Sequence, residues 1–166
     1  MDTFTLLHVV VSLIGIASGL VVLSGLIASR LFDGWNAVFL VSTTATSLTG
    51  FFFPFHGFTP GLAVGVISTI VLAIAVIARY VRRLAGAWRR TYVISATVAL
   101  YFNVFVLVVQ LFEKVPSLRE LAPTQSEAPF VAAQIAVLAL FLVLGTLAVR
   151  RFRAASLQAA RSASAS

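Results

Sequence analysis

RRTYVISATVALYFNVFVLVVQLFEK, Arg89 to Lys114, carries no charge between Arg90 and Glu113. A helix needs about 20 apolar residues to cross the hydrocarbon of a bilayer. Thr91–Phe112 meets that length, with a basic pair at one edge and Glu-Lys at the other. Four further stretches read the same way: Leu6–Ala28, Trp35–Phe55, Thr59–Arg79 and Pro129–Val149. A composition of 60% hydrophobic and 10% charged residues lies outside the range of water-soluble domains. The expected fold is therefore an all-α membrane protein, a five-helix antiparallel transmembrane bundle. It forms a single transmembrane domain over residues 1–152, followed by a basic and then disordered tail over 153–166. Little chain is left over for a soluble catalytic domain.

Charge sets the orientation. With the N-terminus on one side, the other side receives Arg30, Arg79, Arg82, Arg83, Arg89, Arg90, Arg150, Arg151, Arg153 and Arg161. The N-terminal side receives only Lys114 and Arg119. Loops rich in Lys and Arg stay in the cytoplasm, so the N-terminus is expected outside and the C-terminus inside. The first apolar run lacks a basic segment before it and exceeds a signal-peptide core in length, so it is expected to stay as a helix. The setting is a multi-pass protein of a bacterial-type inner membrane. The net charge of +7 serves topology and anionic head groups, and no nucleic-acid partner is expected.

Cysteine is absent, which excludes disulfides, thiolate chemistry and iron–sulfur clusters. No HExxH, no paired carboxylates and no serine–histidine–acid set is present, so an enzyme is the least supported class. Gly15-xxx-Gly19 and Gly61-xxx-Gly65 predict close backbone approach between helices, within the chain or in a homodimer. Six hydroxyls crowd into Ser42–Thr49 and cover every face of the second helix. Some are expected to bond back one turn and some to face the bundle interior.

Depth, at about 1.5 Å per helical residue, places the stronger polar groups toward the outer side. Asn103, Gln110, Gln134, Thr46, Thr49, Tyr101 and Ser12 are the candidate ligand-binding residues, with His8 and His56 at the rim beside Phe51–Phe58. The opposite half reads as Val, Leu, Ile and Ala with a few hydroxyls. A polar group facing lipid is costly, so these residues are expected to turn inward and form a pocket open to the outer side. Such a pocket suits a small neutral or amphipathic ligand, to be bound or transported. No acidic residue lies within any span, which argues against cation-coupled pumping. One alternative is an accessory or structural subunit of a larger membrane complex. Another is a b-type haem protein for electron transfer with His8 and His56 as ligands, and a metal held by these histidines with Glu113, Glu120 or Glu127 is a weaker variant.

Orientation is testable directly. Reporters fused after Arg90 and after Arg161 are expected to read cytoplasmic; an external signal from either breaks the five-span arrangement.

Overall fold

The computed structural model describes residues 3–53 and 60–164, with side chains described for 3–53 and 61–152. Among the described residues there are six α-helices and no strand. They are α1 (Thr3–Ile27), α2 (Asp33–Gly50), α3 (Pro60–Val76), α4 (Trp88–Lys114), α5 (Pro116–Leu121) and α6 (Ala128–Ser164). A π-helical turn, Ile77–Val81, extends α3. Among the described residues, four segments are long and apolar enough to cross a membrane: Thr3–Ile27, Gly61–Val81, Trp88–Lys114 and Ala128–Phe152. The span expected over Trp35–Phe55 is helical over Asp33–Gly50, and its hydroxyls, Asp33 and Asn36 keep it out of that group.

The ends of the helices follow from local chemistry. α1 closes with Ser29 at φ 58°, and the Arg30 N–H returns to the Gly25 carbonyl at 2.8 Å. This is the left-handed closure usually given to glycine. Ser29 Oγ then donates to the Arg151 carbonyl at 3.1 Å and ties the α1–α2 turn to α6. The stretch Glu113–Ala128, read as a loop, contains α5, which starts on Pro116 where a missing N–H costs nothing. Glu127 precedes α6, and its carboxylate accepts from the N–H groups of Thr124 and Ser126, both at 3.1 Å.

α4 is the central element. It packs against α1, α3 and α6, while α1 also lies on α2 and α6, and α2 on α3. Tyr92, Val93, Ala96, Ala99 and Leu100 recur at helical spacing on its buried face. Facing them are Val22 and Leu26 of α1, Leu72 and Ala75 of α3, and Phe141 and Ala148 of α6. The outer surface is equally apolar: Val41 is 69% exposed, Val143 65% and Leu142 62%. Water would penalise that surface, whereas lipid tails would not, which is compatible with a multi-pass membrane protein.

Lipid gives no hydrophobic drive between helices, so close packing has to supply their adhesion. On α1, Gly15, Ser18, Gly19 and Gly25 are all buried. A Cβ at Gly19 would sit 2.6 Å from Leu100 Cδ1 and 2.8 Å from the Phe39 ring. Both neighbours are almost fully buried and have little room to yield. Gly15 and Gly19 are thus taken up by contacts within the chain. Gly65 faces the Phe51 ring at 3.4 Å, and Gly61 is exposed.

Gly19→Ala is expected to cost about 1–3 kcal/mol by overpacking. Gly34→Ala, where nothing lies within 4 Å, should cost nothing measurable. Thermal unfolding of both variants in detergent checks this, and equal melting temperatures would refute the α1–α2–α4 contact.

Candidate functional site

The antiparallel pair α1 and α2 carries a polar seam. One step of a turn up α1 meets one step of a turn down α2. His8 Nδ1 lies 2.8 Å from Thr49 Oγ1. Ser12 Oγ lies 3.4 Å from Thr46 Oγ1. A Cβ on Gly15 would stand 3.0 Å from Thr43 Oγ1, and one on Gly19 would meet Phe39. From α4, Asn103 Nδ2 donates to Thr43 Oγ1 at 3.2 Å. The helical period makes this possible, because 8, 12, 15 and 19 fall on one stripe of α1 and 49, 46, 43 and 39 on one stripe of α2.

The direction of these bonds can be worked out from the proton inventory. A threonine hydroxyl has one proton and two lone pairs. Thr49 Oγ1 gives its proton to the Ala45 carbonyl at 2.7 Å, in the back-bond common for hydroxyls in helices. With its proton so placed, Thr49 accepts from the His8 tautomer that is protonated at Nδ1. In that tautomer the lone pair is on Nε2, where it can accept a hydrogen bond or ligate a metal. Thr49 therefore does both things expected of the hydroxyl run: it bonds back and it faces a neighbour. Ser42 bonds back to Val38 O at 2.6 Å, and Ser12 to His8 O at 2.8 Å. Aromatic rings wall the histidine. Phe53 meets His8 edge-on with centroids 5.0 Å apart, and Phe4 stands 5.2 Å from Phe53.

The remaining candidates are placed elsewhere. Gln110 is exposed and donates to Glu113 Oε2 at 3.4 Å, one turn along its own helix. Gln134 Nε2 donates to the Phe105 carbonyl at 3.2 Å and joins α6 to α4, while its buried Oε1 has no donor among the described residues. Tyr101 packs in an aromatic group with Phe102, Phe105 and Phe141, at centroid distances of 5.5, 6.1 and 5.8 Å. His56 lies outside the described residues. The structure thus brings His8, Ser12, Thr46, Thr49 and Asn103 onto one seam, and sets Gln110, Gln134 and Tyr101 apart from it.

A hollow of about 420 Å³ opens beside α5, lined by Phe112, Glu113, Lys114, Arg119, Thr124 and Gln125 among others, and no seam residue lines it. Among the described residues no three His, Cys, Asp or Glu side chains gather as a metal group would require. Two of the loop acids already have partners. Glu113 meets Gln110 and, at 3.9 Å, Lys114. Desolvation acts to raise the Glu127 pKa. Hydrogen bonds from the Thr124 hydroxyl and from backbone N–H groups outweigh it and hold the carboxyl below its ordinary value.

The half of the chain that reads as apolar is not uniformly so. Asn36 and Tyr92 are 1% and 0% exposed, and the Tyr92 hydroxyl donates to Asn36 Oδ1. Arg79 forms an ion pair with Asp33 close by. Asn36 follows Trp35 near the start of α2, and its burial comes from the packing of α2 against its neighbours together with the Tyr92 hydrogen bond. The position of Asn36 inside an otherwise apolar run is the signal that could have found it. Thr43 was one hydroxyl among six; only the approach of Asn103 distinguishes it.

Nitrogen-15 spectra of the full chain in lipid are expected to show His8 protonated at Nδ1 and bare at Nε2. Thr49→Val should release that preference and cost about 1 kcal/mol of stability. A wild-type His8 protonated at Nε2 would remove it as an acceptor.

No family model, no curated protein and no solved structure matches the chain, so its function rests on what these residues can do.

Proposed function

We propose that the chain is a five-crossing protein of a bacterial inner membrane, N-terminus outside, which binds or transports a small neutral or amphipathic ligand where His8 tops the α1–α2 seam. α2 would be the fifth crossing. Its 18 residues reach about 27 Å, close to the thickness of the hydrocarbon core. Its polar side chains Asn36, Ser42 and Thr43 are buried, whereas Trp35, Val38, Val41 and Leu48 are exposed. That polarity suits a helix with lipid outside and neighbours inside. The arginine asymmetry supports the orientation.

The observation that carries the ligand reading is the 2.8 Å contact of His8 Nδ1 with Thr49 Oγ1, which itself bonds back to Ala45 O. With Nδ1 as the donor, the imidazole keeps one acceptor, Nε2, on a ring that Phe53 walls edge-on. α1 carries no charged side chain, and α2 carries only Asp33, at its far end. A ligand at this place would therefore be uncharged where it meets the seam, with an O–H or N–H to offer and an apolar body against Phe4 and Phe53. The same hydrogen bond favours a second reading. A histidine that ligates a metal usually donates its other ring N–H to an oxygen, as His8 does, so Nε2 also suits the iron of b-type haem.

An absorption spectrum of the protein purified in mild detergent, oxidised and then reduced, separates the two. A Soret band lost in His8→Ala establishes haem and displaces the neutral ligand. A colourless protein that carries a small molecule, with occupancy lost in His8→Ala, supports the ligand reading. A colourless protein with no His8-dependent passenger rejects both. A stoichiometric partner recovered on gentle solubilisation would then favour the accessory-subunit reading.

A further inference from the structure

At the arginine-rich end, α2 begins, α3 finishes in its π turn and α4 begins. The three meet around four polar side chains. Tyr92 of α4 donates its hydroxyl proton to Asn36 of α2. Arg79, in the π turn, pairs through Nη2 with Asp33. Asp33 and Asn36 lie three residues apart on α2, so the two pairs adjoin. The π turn matters here, because the wider hydrogen bond from Arg82 N–H to Ile77 O re-aims the side chains between them.

Among the described residues, two buried groups in this cluster have no hydrogen-bond partner: Asn36 Nδ2 and Arg79 Nε. Both are N–H donors, so only an acceptor can satisfy them. Asn36 is 1% exposed, and a buried unsatisfied donor is destabilising. Asp33 is the one member that faces outward, its side chain 78% exposed against 17% for Arg79. It occupies a single guanidinium nitrogen and can swing away into the head-group region.

We propose that this cluster is a binding site for the phosphate of an anionic phospholipid, with the Asp33 carboxylate as the competitor it displaces. The phosphodiester oxygens are acceptors only, which matches the two unpartnered donors. Arg79 provides the charge and the fork geometry suited to phosphate. The surroundings favour a lipid over a soluble anion. Exposed Trp35 and Tyr80 stand at this end, where aromatic side chains sit among head groups. The guanidinium groups of Arg79 and Arg82 lie 5.8 and 5.1 Å from the rings of Tyr80 and Trp88. Arg82 and Arg83, both exposed, balance the added negative charge.

The test is native mass spectrometry of the full-length chain titrated with phosphatidylglycerol, phosphatidylcholine or inorganic phosphate. Phosphatidylglycerol is expected to bind at least about tenfold tighter than phosphatidylcholine, and inorganic phosphate not measurably. Asp33→Asn, an exposed change that leaves the packing intact, should tighten phosphatidylglycerol binding severalfold. Arg79→Gln should weaken it about tenfold. The double variant Arg82→Gln/Arg83→Gln, which removes more charge outside the cluster, should weaken it less. Equal loss in the two arginine variants would reduce the effect to general surface charge and overturn the site. Unchanged binding in Asp33→Asn would overturn the competition, even if Arg79→Gln failed to fold. Binding of inorganic phosphate as tight as that of the lipid would overturn the lipid assignment.

Discussion

A polar group buried among apolar side chains is costly unless it finds a partner inside the protein, and among the described residues all but three buried side-chain N and O atoms do so. Hydroxyls on α1, α2, α3 and α4 find theirs locally by bonding to a carbonyl one turn back, as Ser18, Ser42, Thr49, Thr69, Ser95 and Thr97 do. Groups that cannot do so face one another across helices. Asn103 finds Thr43, Gln134 finds the Phe105 carbonyl, and Tyr92 finds Asn36. Each such pair fixes a rotation of one helix against the next, because the alternative is a polar group in hydrocarbon.

Small residues make these meetings possible. Gly15 and Gly19 bring α1 close to α2, so that short side chains such as Ser12 and Thr46 come within reach of each other. Those glycines lie on the same stripe as His8 and Ser12. Close approach and polar contact are therefore one design feature of the α1–α2 pair. α4, which presents Ala96 and Ala99 to its neighbours, plays the corresponding part at the centre.

The two ends of the helical assembly then differ in chemistry. At the α5 end, the α1–α2 seam is uncharged and its histidine is oriented by a hydroxyl. At the arginine-rich end, an ion pair, a phenol and a carboxamide share a small volume among α2, α3 and α4. Arg89 over the Phe152 ring, at 5.6 Å, and Ser29 on the Arg151 carbonyl bind α6 into that end. The first end is the one proposed to meet an uncharged molecule, and the second the one proposed to meet an anion.

Apolar length and the arginine distribution were legible from the amino acids alone, because the period of a helix and the thickness of a bilayer are both fixed quantities. They yield an all-helical chain with several helices able to cross a membrane, and they place Ser12, Thr46, Thr49 and His8 at similar depth. Depth does not say which way a side chain points. Gln110 and Asn103 are seven apart on α4, yet Gln110 pairs with its own helix and Asn103 with α2. Tyr101 turned toward α6, and Asn36, a carboxamide at a helix start, became one of the most buried groups in the chain. Only the tertiary structure decides such outcomes. They depend on the rotation of one helix about its axis relative to another, a quantity set by packing between residues far apart in the chain.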